Sequence, residues 1–186
     1  PALFIGLRLQ SSWREMLLWL NGQTFGETDP QFGLDIGFFV FTLPALRVIL
    51  STVMTVVVLA LIASLVAHYL YGGESVARKT DRVTRAARIQ IGVVATLFTL
   101  LLGLSYWLDR YSLLVGDNRR FTGASYADIN ANLPGRGVMA AIAIIVALMF
   151  IVAVVRGSWR IPVAGVAMMI VAAIVAGTAY PAIVQR

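Results

Sequence analysis

The chain has 186 residues, 59% hydrophobic and only 13% charged, with a formal net charge of +6. A soluble domain is nearer half apolar and a quarter charged, so this balance excludes an ordinary water-soluble globule and points to a polytopic, all-α membrane protein. The bases do not cluster on an aromatic-studded face, which sets nucleic acid aside as a partner, and the lack of cysteine excludes disulfide frameworks and thiol-ligated metals.

Pro1 to Gln10 is apolar but too short to span, and reads as interfacial or as the end of a preceding helix. No charged n-region or cleavage site opens the chain, which therefore reads as a piece of a longer polypeptide. Ser11 to Leu20 carries Trp13, Met16, Leu17 and Leu20 at helical spacing, with Arg14 and Glu15 off that face. Such a short amphipathic segment is expected to lie in the membrane interface. Asn21 to Gly37 is a loop by composition. Its carboxylates Glu27, Asp29 and Asp35 read as helix caps and loop solvation rather than as a substrate or cation site. Phe25, Phe32, Phe38, Phe39 and Phe41 around them fit the headgroup boundary. Residues 1–43 thus form an extracytoplasmic or interfacial segment, and 44–186 a transmembrane domain.

Four spans are predicted, at about 45–70, 89–108, 138–155 and 161–180. Thr42 is placed to cap the first, with Pro44 in its first turn. The first span's 26 residues make roughly 39 Å of helix against a hydrocarbon core of about 30 Å, so tilt or an emergent end is expected. Arg47 is read as snorkelling to the headgroups. On the second span Gly92, Thr96, Thr99 and Gly103 step by four, three and four, forming a stripe of small residues for helix packing. Ala143 and Ala147 on the third span, and Ala172, Ala173, Ala176 and Gly177 on the fourth, give similar spacings. The short turn Arg156 to Arg160 makes spans three and four a hairpin.

Loops 72–88 and 156–160 hold seven bases in few residues, and the opposite side holds seven of the nine acids. Basic density decides orientation, so these loops are expected to be cytoplasmic, with loop 109–135 and the C-terminus extracytoplasmic in a bacterial cell membrane. Arg78, Lys79, Arg82, Arg85 and Arg88 are the candidate contacts to anionic lipid headgroups.

Motifs that carry chemistry are few. His68 is the sole histidine, near the end of the first span, and reads as interfacial or packed. Away from their ends the spans hold no Asp, Glu, Lys or Arg, which argues against an ion-coupled pathway through these helices alone. Asp128, Asn130 and Asn132 have the start of a calcium-loop pattern, but Leu133 stands where glycine is needed and Met139 where the bidentate Glu belongs. A cap or turn is the better reading. Asp109-Arg110, and Asp117 with Arg119-Arg120, read as ion pairs. No catalytic, cofactor-binding or metal-ligating residue is assigned, no cofactor is expected, and an enzyme is the less favoured class.

Four strings occur in order: FGETDPQFGLDIGFFVFTLP (Phe25–Pro44), YWLDRYSLL (Tyr106–Leu114), FTGASYADINANLP (Phe121–Pro134) and YPAIVQR (Tyr180–Arg186). With them the chain resembles the membrane region of uncharacterised protein family (UPF) number 0182, whose pattern has Tyr where Phe39 stands here. The resemblance implies a bacterial multi-pass membrane protein with about seven spans, of which this chain would carry the later ones, followed by a large extracytoplasmic domain. It implies no activity. The expected function is to anchor and orient that domain, as subunit or scaffold of an envelope assembly, with membrane lipids, the chain's own outer domain and other envelope membrane proteins as partners. The alternatives are a transporter or lipid-handling protein with a groove between spans, and an outer-surface enzyme using carboxylates of the outer loops.

Overall fold

A computed structural model describes Gly6, Gln10 and residues 12–76, 85–118, 121–126, 128–158 and 160–176. Five α-helices carry the fold: α1 (Trp13–Leu20), α2 (Leu43–Val76), α3 (Arg85–Ser112), α4 (Leu133–Arg156) and α5 (Arg160–Ile174). A two-residue antiparallel ladder, β1 (Asp117–Asn118) with β2 (Phe121–Thr122), lies in the loop after α3. The chain is all-α in every larger respect. Three stretches, Phe38–Ala67, Ala87–Ser112 and Asp128–Arg156, are helical, long and apolar enough to cross a membrane, and α5 is a shorter apolar helix as far as it is described. Helix α5 covers the first part of the predicted fourth span, 161–180, of which residues 177–180 lie outside the described residues.

Helices α2, α3 and α4 are longer than the apolar runs that predict them, for an identifiable reason at the start of α2 and of α4. Each is preceded by a π-helical turn, Phe38–Thr42 and Asp128–Asn132, and each π-turn is followed directly by Leu-Pro (Leu43-Pro44 and Leu133-Pro134). A proline inside a helix lacks a donor and drives its ring at the carbonyl four residues back. A turn widened to i→i+5 bonding just ahead of the proline relieves that conflict, and the N–H of Leu43 bonds to the carbonyl of Phe38 in this manner. The helix thus runs on through Pro44 instead of starting there. The expected cap, Thr42, is inside the π-turn. The cap is Asp35, whose Oδ1 accepts the Gly37 N–H at 2.7 Å while its carbonyl accepts from Phe38 N. Gly37 has no room for a side chain: a Cβ there would stand 2.5 Å from the Gln23 carbonyl oxygen.

The second π-turn is held by a capping box. The Ser125 hydroxyl accepts the Asp128 N–H at 3.2 Å, and Asp128 Oδ2 accepts the Ser125 N–H at 2.9 Å. At the other end of α4, Gly157 takes a left-handed conformation (φ 71°) and returns its N–H to the Ala153 carbonyl, which forms the turn into α5.

Helices α3 and α4 share the tightest seam. Gly92, Thr96, Thr99 and Gly103 are all buried. Both threonine hydroxyls bond back to their own helix, to the carbonyls of Gly92 and Ala95. That leaves no polar group stranded and turns the stripe into a smooth surface. A Cβ on Gly103 would stand 3.1 Å from Ala143 Cβ and 3.4 Å from the Ala140 carbonyl, and one on Gly92 would run into Val154. Ala140, Ala143 and Ala147 are buried on the α4 side. On α5 the small residues are more open: Ala172 is half-buried, Ala173 exposed, and Ala176 faces Gly135. Gly177 lies outside the described residues.

Candidate functional site

The start of α2, the end of α3 and the start of α4 meet at one carboxylate. Asp109, in the last turn of α3, accepts a hydrogen bond at Oδ1 from Arg47 Nη2. Its backbone carbonyl accepts from Arg136 Nη1 at 2.6 Å, and that nitrogen lies 3.9 Å from Oδ2. The three side chains are 30–40% exposed, so the pairs are neither buried nor fully washed by solvent. Each arginine sits just after a π-turn and its Leu-Pro: Arg47 three residues beyond Pro44, Arg136 two beyond Pro134. The two similar turns therefore bring a base from either flank onto one acid of the middle helix.

This bears on two expectations. Arg47, read as snorkelling to the headgroups, is bonded to Asp109. Asp109 does not pair with its sequence neighbour Arg110, whose guanidinium stacks on the Trp107 ring at 4.5 Å and stands 5.9 Å from the Phe32 ring. A third expectation concerns the phenylalanines. Tyr111 of α3 gathers Phe32, Phe38 and Phe39, at centroid distances of 4.7, 5.4 and 6.4 Å. Phe39 is buried, in a cluster with Leu43, Leu50 and Leu108. Phe32 and Phe38 pack, partly buried, against this cluster. Phe25 is exposed and stacks on Phe41 at 5.9 Å.

Two cavities flank the node. One, of about 330 Å3, lies between α2 and α3 and is lined by Ser12, Arg47, Val48, Leu50, Ser51, Met54, Ser105, Leu108 and Asp109. The other, of about 200 Å3, is lined by Tyr106, Asn132, Gly135, Arg136, Met139, Ala173 and Ala176.

The loop carboxylates serve the backbone. Asp35 accepts N–H bonds from Phe25, Gly26 and Gly37. Led by those of Phe25 and Gly37, they hold its pKa below the ordinary aspartate value, against a smaller desolvation that raises it. Asp29 Oδ2 accepts from Gln31 and Phe32, closing an Asx turn. In the calcium-like string, Asp128 is in the capping box, Asn130 donates to the Tyr126 carbonyl and Asn132 donates to Asp128 Oδ1. Among the described residues no group of three or more His, Cys, Asp or Glu could hold a metal. None of Asp29, Asp35 and Asp128 lines either cavity.

Of the candidate headgroup contacts, Arg78, Lys79 and Arg82 lie outside the described residues, as do the side chains of Arg85 and His68. Arg88 is half-buried, and its Nη1 would stand 2.8 Å from a Cβ on Gly157, against the turn that ends α4.

Helices long and apolar enough to cross a membrane, a close-packed small-residue seam and a polar node at one end define an all-α protein of the membrane class. A family model described as "Uncharacterised protein family (UPF0182)" matches residues 1–186, and the chain belongs to that family. It is similar to the UPF0182 protein of Kocuria rhizophila, 42% identical over 184 residues that cover 99% of this chain and 19% of the relative. A UPF0182 protein of Clavibacter sepedonicus is 45% identical over 186 residues, covering 99% and 19%. That of Kineococcus radiotolerans is 46% identical over 187 residues, covering 99% and 18%. The chain spans about a fifth of the length of these curated relatives. No solved structure matches it.

Proposed function

We propose that this region is the membrane scaffold of a larger bacterial cell-membrane protein, and that it fixes the position of a large extracytoplasmic domain as part of an envelope assembly. One observation carries the reading: the Asp109 node ties the ends of α2, α3 and α4 together on a single side. A domain attached on that side would meet three helix ends held in register. The arginine-rich loop 72–88 and the turn 156–160 lie at the opposite helix ends and face the cytoplasm in this reading. The small share of each relative that this chain covers leaves ample length for such a domain. The carboxylates of the outer loops do not converge on a cavity, so an outer-surface enzyme gains no support from the described residues.

The test uses the full-length protein in its own membrane, with single cysteines introduced at Arg82 and Ser125 and labelled by an impermeant maleimide on intact cells. Labelling at Ser125 and protection at Arg82 is the expected result. The reverse pattern would overturn the orientation and the reading with it. Affinity purification from the same cells is expected to recover envelope membrane proteins, and recovery of a lone protein would count against the assembly role.

A further inference from the structure

The charged residues of α3 and α4 mark out a slab. Arg88 and Asp109 stand 21 positions apart on α3, Arg136 and Arg156 stand 20 apart on α4, and no Asp, Glu, Lys or Arg falls between either pair. At about 1.5 Å per residue these separations are about 32 and 30 Å, the thickness of a hydrocarbon core. Arg47, bonded to Asp109, puts α2 in the same frame. The helices do not stop at the node. Helical backbone runs without a break from Ile36 to Arg47 and from Asp128 to Arg136. Ile36 therefore stands about 16 Å, and Val40 and Ile129 about 10 Å, beyond the arginine of their own helix. A headgroup layer is about 5–8 Å deep on each face, so these positions lie past it.

What this crown exposes is apolar. Phe25, Ile36, Val40, Val115, Tyr126 and Ile129 are 37–74% exposed. Ile36 with Val40, and Tyr126 with Ile129, recur at helical spacing and share a face of their turn. Phe25 stacks on Phe41, the residue after Val40. Val115 follows the end of α3, the helix that packs between α2 and α4. Within the slab an exposed valine or isoleucine is solvated by acyl chains; beyond the headgroups it meets water, and apolar groups gathered there mark a protein contact. Headgroups have little to hold: residues 21–42 and 123–135 contain no Lys or Arg. The carboxylates of Asp29, Asp35 and Asp128 are taken up by their own loops.

We infer that the crown is a docking surface, and that its occupant is the part of the same polypeptide that lies outside the membrane. The chain spans about a fifth of the length of its relatives, which leaves most of the protein to supply that part. A tethered segment also reaches the crown at a high effective concentration that a second molecule has to match from solution. Both π-turns are capped by residues of this chain, so the surface is formed before its occupant arrives. The proposal rests on the scaffold reading and adds to it where the outer domain sits, on three helix ends instead of on a loose tether.

The test puts the photocrosslinker p-benzoylphenylalanine in place of Val40 or of Ile129 in the full-length protein, irradiates it in its own membrane, and identifies the products by mass spectrometry. Both positions should crosslink within one copy, to peptides of the same polypeptide outside residues 1–186. Tyr126→Asp should lower the crosslink yield from position 40 by about tenfold, the loss of one interface anchor, with the amount of protein in the membrane unchanged. Val115→Asp, at the middle helix end, should act in the same direction and stands in if the first variant does not accumulate. Products with lipid alone, with a second copy or with a different protein would overturn the proposal, as would an unchanged yield in both variants. The impermeant maleimide separates the two possible failures. A labelled Ser125→Cys with lipid-only products sinks the docking surface alone, whereas a protected one sinks the scaffold reading beneath it.

Discussion

On its α4 side, α3 is stripped to glycine and threonine, and the two backbones come close enough that a methyl group on Gly103 would press on Ala143. On its α2 side the same helix leaves a cavity of about 330 Å3, and a charged pair closes the end of the gap. Both seams join apolar helices, yet they hold by different means. In lipid, burying apolar surface against another helix gains little over burying it against acyl chains. What remains is close packing, which the α4 seam uses along its middle beyond the Arg136 contact at its end, or interhelical polar contacts, on which the α2 seam relies at one end. A seam pinned at one end leaves space beyond the pin, the cavity lined by Val48, Met54 and Ser105.

The sharpest way to break the contrast is to insert the same side chain into each seam. Gly103→Leu has no free volume and meets the Ala140 backbone as well as Ala143, so a loss of about 1–3 kcal/mol or more is expected, seen as a large drop in melting temperature of the full-length protein in detergent. Ser105→Leu, two residues along on α3, enters the cavity and should change the melting temperature little. Equal losses in the two would show that the seams do not differ in packing.

The pin is tested next. Asp109→Asn leaves Arg47 and Arg136 facing each other with no counter-charge. Removing one partner from a fully buried pair costs about 3–5 kcal/mol, and the partial exposure here scales that down to about 1–2 kcal/mol. Double-mutant cycles of Asp109→Asn with Arg47→Gln and with Arg136→Gln should both return a coupling of about 0.5 kcal/mol or more. A cycle with Arg110→Gln should return almost none, because Arg110 stacks on Trp107 instead. Coupling confined to Arg110 would mean that the pin is wrongly drawn. The smaller effect of Ser125→Ala, about 1 kcal/mol, removes half of the capping box and should appear as faster amide exchange over 125–133 with the α3–α4 seam unchanged.

The packed seam was legible in the sequence and the pinned one was not. Glycines and threonines recurring at helical spacing leave a mark that any reader of periodicity finds, and Gly92, Thr96, Thr99 and Gly103 are indeed buried together. The node joins residues 62 and 27 positions apart, and nothing local distinguishes an arginine that pairs from one that snorkels. The cue that was present is subtler. Both arginines follow Leu-Pro at a helix start, and a proline read as a first-turn residue hides the π-turn ahead of it. Phenylalanines beside a polar loop are equally ambiguous: interface anchors and core rings share a composition, and only the position of Tyr111 decides. The family was legible because four separated strings must coincide, which chance does not produce.

The smallest expected effect concerns what feeds the pinned seam. Asp35 caps the turn that delivers Arg47, and backbone N–H groups of Phe25 and Gly37, with that of Gly26, hold its pKa below the ordinary aspartate value. The ionised form is the one bound in the folded loop. A carboxylate with a depressed folded value contributes stability that is present above its unfolded value, and loses it as the pH falls through the folded value. The loop 25–37 should therefore keep its amide protection at neutral pH and lose it on acidification through and below the ordinary carboxylate range, while the Gly92–Gly103 stretch of the α3–α4 seam, which contains no carboxylate, holds. Asp35→Asn should flatten that acid dependence and loosen the loop at neutral pH, since an amide oxygen is a weaker acceptor than a carboxylate for these N–H groups. If the loop and the seam opened together on acidification, the pinned end would not be the independently weaker one, and the contrast between the two faces of α3 would have to be redrawn around a single cooperative unit.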